Sequence, residues 1–332
     1  MQPGHSRAVM NPATTTRILT PVSKLTSFVT PTEDVFVIAH MGIARLDAEP
    51  WRLTVDGLVD RTLVLTGDEL RALPSRTVTS FIECYGNPVE PDVPTRRVAN
   101  VVWLGAALRD VIARAGVSAR VTHVWLEGAD SGTFAGVHSE RYVKDLPLAT
   151  VLERDDVLVA WAMNEAPLTA EHGFPARVVV PGFFGTNCVK WLTRVTLADA
   201  RPESLFTTRL YNRQVVRDGV TVVEPVREAD VHAVIVSPGD GETVGRDVVV
   251  AGWAWSAWPV ARVEVAVDGE GGWRDARLDA RREGHAWQRF AVDWRAERPG
   301  AHRIRCRATD ERGRTQPREG RNRMHEVTIN VE

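Results

Sequence analysis

One cysteine, Cys84, is the residue best placed for metal chemistry. Residues 76–82 form a β-rich run that delivers it to Gly86-Asn87-Pro88, where the strand must break. A thiol at a strand end, beside a glycine that lets backbone come close, can ligate a large group. Most free cysteines are buried structural residues, however, so this stretch by itself leaves a core role open.

A second group of chemically capable residues follows two apolar runs. His172, Arg177 and Lys190 flank residues 178–180 and the strand that starts at Cys188. Arginine and lysine donate hydrogen bonds to phosphate, and the glycines in between let backbone N–H groups approach an anion. A proline turn with solvated charges is the alternative interpretation of the same stretch.

Predicted strands and short helices would position these groups. Apolar runs predict buried strands at residues 156–163, 177–180 and 189–197. Thr66 and Glu69 form a capping-box pattern that begins a short helix, and residues 145–152 favour another. One apolar helical face is predicted from spacings of four, seven, eight and eleven residues in Leu104, Leu108, Val111, Ile112 and Ala115.

The pattern changes near residue 226. From there to residue 332 only short alternating strands with turn signals occur, which predicts an all-β sandwich with Cys306 in its core. Residues 1–30 are polar and rich in proline and threonine, which favours an N-terminal arm. We therefore predict an arm at 1–30, a catalytic domain at 31–225 and a second domain at 226–332.

Composition excludes several classes of function. The net charge is −2, which gives no electrostatic basis for binding nucleic acid or an anionic membrane surface. Three scattered cysteines do not form a disulfide framework, a zinc ribbon or a c-type haem site. No apolar run is long enough for a membrane span or a signal peptide, so a cytoplasmic location is expected, or a periplasmic one if a leader was removed.

Together these stretches resemble the sulfite oxidase family of molybdenum enzymes. Cys84-Tyr85-Gly86-Asn87 is similar to the family's Cys-x-Gly-Asn motif, and Trp103-Leu104-Gly105 to its Trp-x-Gly segment. Residues 156–192 match the family's run from a Leu-Ala-x-x-Met-Asn strand through His-Gly-Phe-Pro to Val-Lys-Trp-Leu. The late tryptophan-rich stretch resembles the family's dimerisation domain. The implied fold class is α+β: a mixed α/β molybdopterin-binding domain followed by an all-β immunoglobulin-like sandwich.

The resemblance also implies a cofactor and roles for individual residues. The cofactor is molybdenum held by a phosphate-bearing pterin dithiolene, with Cys84 as the protein ligand to the metal and Tyr211 as the active-site tyrosine beside it. A thiolate is a soft ligand that suits a redox-active metal, and a tyrosine hydroxyl can relay a proton. The residues implied to bind the cofactor are Phe36, Val37, Ile38, Ala39, His40, Asp130, His172, Arg177, Cys188, Val189 and Lys190.

Three positions depart from the family pattern. Sulfite oxidases carry substrate-binding arginines where this chain has Ile38 and, just after the cysteine motif, Pro88 and Val89. The hypothesis is therefore two-electron oxygen-atom transfer on a substrate other than sulfite. A true sulfite dehydrogenase with relocated arginines and a non-catalytic cofactor-binding scaffold are the alternatives. The arginines that could compensate are Arg96, Arg97, Arg209 and Arg213.

The remaining expectations concern partners. No haem or flavin motif occurs, so electrons from the small-molecule substrate would leave to an external acceptor such as a cytochrome. The C-terminal sandwich is expected to form a homodimer, as the resemblance implies.

Overall fold

The computed structural model describes residues 15–88, 93–269, 272–282 and 284–332. Within these ranges the chain forms two compact units, and neither is one continuous segment. The first unit comprises residues 15–18, 37–78 and 102–227, and the second comprises residues 19–36, 79–101 and 228–332. The predicted boundaries at residues 30 and 225 stay predictions.

Both units consist mostly of strands. Up to residue 147 the strands are β1 (Thr16–Ile18), β2 (Thr20–Pro21), β3 (Val37–Ala39), β4 (Arg52–Gly57), β5 (Leu63–Thr66), β6 (Ser75–Glu83), β7 (Thr95–Arg96), β8 (Val98–Ala107), β9 (His123–Gly128), β10 (Gly132–Phe134), β11 (Val137–Ser139) and β12 (Val143–Pro147). Up to residue 225 they are β13 (Leu158–Met163), β14 (Ala166–Pro167), β15 (Arg177–Val179), β16 (Leu192–Ala198), β17 (Asn212–Arg217) and β18 (Val220–Pro225).

The later strands all belong to the second unit. They are β19 (His232–Ser237), β20 (Thr243–Val244), β21 (Asp247–Trp255), β22 (Val260–Val267), β23 (Arg274–Asp275), β24 (Arg277–Leu278), β25 (Gln288–Arg295), β26 (Gly300–Asp310) and β27 (His325–Val331). The described α-helices are short: α1 (Gly67–Arg71), α2 (Leu108–Ala113) and α3 (Leu148–Glu153). Short 3₁₀ segments lie at Val22–Lys24, Thr32–Asp34 and Gly185–Asn187, and a π-helical turn at Leu205–Arg209.

Two sheets form the framework of the first unit. One has the strand order β12-β9-β16-β4-β5, with β16 and β4 parallel and the other pairs antiparallel. The other has the order β14-β13-β8-β6. Strand β15 also pairs with β13, on the edge that faces away from β8. Strands β8 and β13 are almost completely buried, and for β13 the continuous apolar sequence predicts this.

The predicted helix at Leu104–Ala115 begins too early. Leu104 belongs to β8, and only Leu108–Ala113 is helical. Gly105 explains the difference, because a Cβ atom there would lie 2.4 Å from the Val159 carbonyl oxygen of β13. The glycine therefore lets two strands approach closely, and the helix starts only where β8 leaves the sheet.

Two other local predictions have mixed outcomes. The capping box is confirmed, since the Glu69 N–H donates to Thr66 Oγ1 (3.1 Å) and the Thr66 N–H donates to Glu69 Oε2 (2.8 Å). The helix predicted from residue 145 is shorter than expected, because Asp145 ends up in β12 and α3 begins at Leu148.

The second unit contains the predicted C-terminal strands. They form two sheets with the orders β19-β21-β25-β24 and β20-β27-β26-β22-β23. The inward residues of both sheets share one apolar cluster that includes Cys306, which is fully buried as predicted. Residues 19–36 and 79–101 add to this unit through buried side chains such as Leu25 and Phe81.

Part of the predicted N-terminal arm is ordered. Strand β1 pairs with β3, and Leu25 is 1% exposed. Residues 1–14 lie outside the described residues. Among the residues described, none of the helices has the length and apolar character that a bilayer crossing needs.

Candidate functional site

Arg177 is a buried cation of the first unit. Its side chain is 4% exposed, with Nη1 donating to the His172 carbonyl oxygen and Nη2 to the Cys188 carbonyl oxygen, both at 3.1 Å. Burial lowers the pKa of Arg177 to about 10, so the side chain stays charged at neutral pH. The guanidinium therefore joins the two loops that sequence analysis placed together.

Lys190 and Asp130 lie near Arg177. Lys190 Nζ donates to the Glu171 carbonyl oxygen (2.8 Å) and lies 4.2 Å from the ring centroid of Trp191. Burial, reinforced by the neighbouring Arg177 charge, lowers the pKa of Lys190, whereas burial raises the pKa of Asp130. Both shifts have burial as their main cause, and the repulsion between Arg177 and Lys190 adds to the shift of the lysine.

Two glycines let these groups approach one another. A Cβ atom on Gly128 would lie 2.6 Å from Asp130 Oδ1 and 2.7 Å from the Lys190 carbonyl oxygen. Gly173 has a φ of +105°, and a Cβ atom there would lie 3.0 Å from Lys190 Cβ. A side chain at either position would push the loops apart. Steric crowding therefore explains why the His-Gly-Phe-Pro sequence has a glycine at its second position.

Buried donors remain unused in this cluster. Within the described residues, Arg177 Nε and Trp103 Nε1 are buried without a hydrogen-bond partner. The Arg177 guanidinium lies 5.0 Å from the Trp103 ring centroid, so the two donors belong to one neighbourhood. A buried donor without an acceptor costs about 1–3 kcal/mol, and an anionic ligand with several acceptor oxygens would remove that cost.

The other predicted residues of this cluster are buried. His172 is 6% exposed, and the Val189 carbonyl oxygen accepts from the Val178 N–H (2.8 Å). Cys188 Sγ accepts from the Val180 N–H (3.3 Å), and burial raises the pKa of its thiol. Cys188 and Val189 therefore shape the loop through backbone contacts, and their side chains are part of the packing. We call the group His172, Arg177, Lys190, Asp130 and Trp103 the cationic cradle.

His40 and Tyr211 form a second feature of the first unit. The Tyr211 hydroxyl and His40 Nε2 share a hydrogen bond of 2.5 Å. The His40 ring lies 4.2 Å from the Phe134 ring and 5.7 Å from the Phe206 ring, so aromatic side chains surround the pair. A hydroxyl and an imidazole in such contact can pass a proton between them and a bound substrate.

The backbone holds Tyr211 in an unusual conformation. Its φ is +57°, in the left-handed region that non-glycine residues seldom adopt. Its carbonyl oxygen accepts from the Val226 N–H (2.8 Å), and Lys144 Nζ lies 5.7 Å from its ring centroid. Strain of this kind concentrates at functional positions, although nothing in the sequence around Tyr211 signals it.

Cys84 belongs to the second unit, where it follows β6 directly. The thiol is half-buried, and burial raises its pKa while hydrogen bonds from the Gly86 backbone and the Arg97 side chain oppose the rise. Its own N–H donates to the Arg97 carbonyl oxygen (2.9 Å). Asn87 closes the turn, because Nδ2 donates to Glu83 Oε1 (3.0 Å) and Oδ1 accepts from the Arg97 N–H (2.7 Å).

Residues far along the sequence support this turn. Trp255 Nε1 donates to Glu83 Oε2 (3.0 Å), and Arg321 Nη1 donates to the Asn87 carbonyl oxygen (3.0 Å). Burial raises the pKa of Glu83 to about 7. The Arg321 guanidinium also lies 5.0 Å from the Tyr85 ring centroid. Sequence reasoning missed Trp255 and Arg321, because no local pattern links positions so far apart.

The segment 36–39 divides between the units. Phe36 groups with the second unit and is buried, whereas Val37, Ile38 and Ala39 form β3 in the first unit. Val37 and Ala39 are buried, and Ile38 is half-buried on the opposite face of the strand. His40 follows the strand directly, in a turn.

The four candidate compensating arginines differ in position. Arg97 hydrogen-bonds the Cys84 thiol. Arg96 is 1% exposed and donates to the carbonyl oxygens of Val93 and Thr95, so it is engaged inside the second unit. Arg209 and Arg213 are exposed residues of the first unit. Val89, another position that departs from the family pattern, lies outside the described residues.

Comparisons with known proteins are consistent with this geometry. The family profile "Oxidoreductase molybdopterin binding domain" matches residues 40–206, just over half of the chain, and "Mo-co oxidoreductase dimerisation domain" matches residues 223–331. The solved sulfane dehydrogenase SoxCD from Paracoccus pantotrophus is 30% identical with a TM-score of 0.80, covering 95% of this chain and 86% of that chain. The chain belongs to the sulfite oxidase family.

Relatives of the sulfite oxidase family include animal enzymes. Mitochondrial sulfite oxidase of Rattus norvegicus is 33% identical over 321 residues, and sulfite oxidase of Gallus gallus is 34% identical over 285 residues. The matches cover 88% and 78% of this chain, and the chain spans only 58% and 61% of those relatives' length. The matched profile identifies a domain that binds molybdopterin, so the cofactor implied for this chain is the molybdenum cofactor.

The first unit fits a phosphate-bearing cofactor of this family. The cationic cradle has a surplus of positive charge, and it holds two buried donors that lack an acceptor within the described residues. A polyanionic pterin would supply the missing acceptor oxygens and negative charge. In the second unit, Cys84 offers a half-buried thiol whose pKa is raised by burial, and Gly86 and Arg97 oppose that rise.

Proposed function

We propose that this protein oxidises a small sulfur compound by two-electron oxygen-atom transfer and passes the electrons to an external carrier such as a cytochrome. Cys84 is the protein ligand to molybdenum, and Tyr211 assists the reaction beside the metal. The observation that carries the proposal is the hydrogen bond of 2.5 Å between Tyr211 and His40, in the same unit as the cationic cradle.

Each group has a defined task in this proposal. When bound, the molybdenum cofactor supplies the two-electron redox chemistry. Arg177 and Lys190 balance the negative charge of the cofactor, and Trp103 and His172 give further polar contacts. The Tyr211 hydroxyl exchanges a proton with His40 Nε2 as the substrate reacts, and Phe134 and Phe206 exclude water from that hydrogen bond.

The likeness to a solved sulfur-oxidising relative supports a sulfur substrate. The sulfane dehydrogenase SoxCD superposes with a TM-score of 0.80. Sulfite itself is the second candidate substrate, because Arg97 hydrogen-bonds the Cys84 thiol and could contribute a cation beside the metal ligand. One assay distinguishes the two candidates: steady-state turnover of sulfite with ferricyanide as electron acceptor, which only the second candidate predicts.

The test begins with protein from a host that makes the cofactor. We expect about one molybdenum per chain by mass spectrometry of the metal, since the profile covers a molybdopterin-binding domain. Cys84→Ser should abolish turnover, because a serine oxygen is a harder and poorer ligand for this metal. Cys306→Ala is the matched control: it removes a fully buried thiol of the second unit and should leave turnover intact.

Two results would count against the proposal. Wild-type protein without molybdenum from such a host would contradict the assigned cofactor roles. Full activity of Cys84→Ser would show that another residue ligates the metal.

The C-terminal strands are also part of the proposal. We infer an immunoglobulin-like sandwich that joins two copies of the chain, supported by the match to the dimerisation domain at residues 223–331. Light scattering should then give twice the chain mass of 36.8 kDa, and a single-chain mass would refute the dimer. A cytoplasmic location stays a prediction.

A further inference from the structure

A short antiparallel ribbon places a cation near the proposed catalytic pair. Strands β1 and β3 pair so that Arg17 lies directly opposite Ile38, and Ile18 opposite Val37. Residues that face each other in an antiparallel pair project from the same side, with Cβ atoms about 4.5–5.5 Å apart. The Arg17 side chain therefore emerges beside Ile38.

The ribbon leads directly to His40. His40 follows β3, two residues after Ile38, and it is hydrogen-bonded to Tyr211. Thr15 Oγ1 donates to the His40 carbonyl oxygen (3.0 Å), which ties the β1 side of the ribbon to the catalytic pair. Diagonal neighbours across a strand pair are about 7–8 Å apart, within reach of an arginine.

Arg17 is available to a ligand. Its side chain is exposed, and among the parts of the chain that the structure describes no carboxylate forms an ion pair with it. The half-buried Ile38 gives the aliphatic stem of Arg17 an apolar surface to lie on while the guanidinium stays polar. A planar guanidinium in this position suits bidentate contact with an oxyanion.

We propose that Arg17 binds the anionic group of the substrate beside the Tyr211–His40 pair. The substrate class is then a small sulfur oxyanion. The site binds an anion although position 38 is occupied by an apolar isoleucine, because Arg17 supplies the positive charge. This inference rests on the proposed function, which it deepens by naming the charge of the substrate and a residue that recognises it. Arg17 is a specificity-determining residue in this role, and its guanidinium is delivered by a different strand from the one that carries His40.

The experiment compares four variants of the molybdenum-loaded full chain. Arg17→Gln removes the cation, and Arg17→Gln combined with Ile38→Arg returns a guanidinium from the opposite strand. Ile18→Gln changes the other face of β1, where Ile18 is 51% exposed. Arg120→Gln removes one exposed cation that pairs with Asp199 elsewhere in the first unit, so it controls for net charge.

Two measurements separate this inference from the proposed function. The first is the KM for sulfite with ferricyanide as acceptor, and the second is the Kd for sulfate, measured by calorimetry at fixed ionic strength. Arg17→Gln should raise both constants about 10- to 100-fold, because one charge-assisted contact is lost, with a smaller change in kcat. The double variant should recover most of that loss, and the two controls should stay within about twofold of wild type.

Several results would overturn the role of Arg17. They are wild-type protein that does not bind sulfate, Arg17→Gln with an unchanged sulfate Kd, and a loss of affinity equal to that of Arg120→Gln. If sulfate binding weakens as expected but neither sulfite nor another small sulfur compound is turned over, the anion site stands and the proposed reaction fails. Normal sulfite turnover together with an unchanged sulfate affinity in Arg17→Gln would refute the anion site and leave the proposed reaction standing.

Discussion

Arg177→Met separates a cofactor-binding role from a structural one. Methionine keeps the length of the side chain but removes the guanidinium, its two hydrogen bonds to carbonyl oxygens and its contact with Trp103. The variant should be prepared twice, in a host that makes the cofactor and in one that does not. The comparison then shows whether the charge serves the protein or its ligand.

The structure gives the expected size of the effect without cofactor. Burial lowers the pKa of Arg177 to about 10, and the difference from the ordinary arginine value corresponds to about 3 kcal/mol against the buried charge. Methionine removes that cost. It also leaves the His172 and Cys188 carbonyl oxygens without this donor, at about 1–3 kcal/mol each. The two effects nearly cancel, so the cofactor-free variant should lose no more than about 3 kcal/mol of unfolding free energy.

The loaded protein should behave differently. Loss of a charge-assisted contact with a phosphate-bearing cofactor should weaken retention at least about tenfold, seen as less molybdenum per chain after dialysis. Arg201→Met is the matched control: Arg201 pairs with the buried Asp145 through two hydrogen bonds of 3.0 Å. Because Arg227 also donates to Asp145 Oδ2 (3.1 Å), the loss of Arg201 should cost only about 1–3 kcal/mol of stability and leave the molybdenum content unchanged.

Chemical unfolding and metal analysis together decide the outcome. If Arg177→Met costs the cofactor-free protein more than about 4 kcal/mol and the loaded protein keeps its molybdenum, Arg177 is a structural residue and the cradle argument is wrong.

Three further predictions concern other parts of the chain. Tyr211→Phe should lower kcat about 100-fold with unchanged molybdenum content, because the hydroxyl that exchanges a proton is gone; equal kcat would exclude that role. Gly105→Ala should destabilise the protein by at least about 3 kcal/mol in urea unfolding, since its Cβ would lie 2.4 Å from the Val159 carbonyl oxygen; a normal midpoint would contradict the close strand approach. His325 has a pKa lowered to about 3 by burial, and its Nδ1 accepts from the Ile235 N–H. As the pH drops, the unfolded state therefore binds a proton before the folded state does, and the free energy of unfolding falls between about pH 6.5 and pH 3. His325→Asn should reduce the slope of that fall by up to about 1.4 kcal/mol per pH unit. Unfolding at several pH values measures the slope, and an unchanged slope would refute the role of His325.

Local patterns were sufficient for much of the framework. The capping box at Thr66 and the strand that ends before Cys84 were predicted from a few adjacent residues. The helix at Leu104 was placed too early, because a strand buried on both faces and the helix that follows it can together mimic one apolar helical face. Only the close contact of Gly105 with the neighbouring strand distinguishes them, and a single sequence does not contain that contact.

The candidate site was predictable in its residue types and less so in its contacts. The surplus of cations near Lys190 follows from the residues of one stretch. The supports of the Cys84 turn do not, because Glu83 and Trp255 are 172 residues apart in sequence. The pairing of Arg17 with Ile38 depends on strand register, which hydrophobic alternation fixes only weakly in so short a ribbon.

The turn that carries the thiol has a consequence for engineering. Its hydrogen bonds to Trp255 and Arg321 come from the section that matches the dimerisation domain, whereas Cys84 itself lies in the section that matches the molybdopterin-binding domain. The two sections are therefore not interchangeable parts. A chimaera that combines the first section of this chain with the second section of a relative would have a different set of neighbours around Cys84, and the affinity of the loaded protein for molybdenum would report on the exchange.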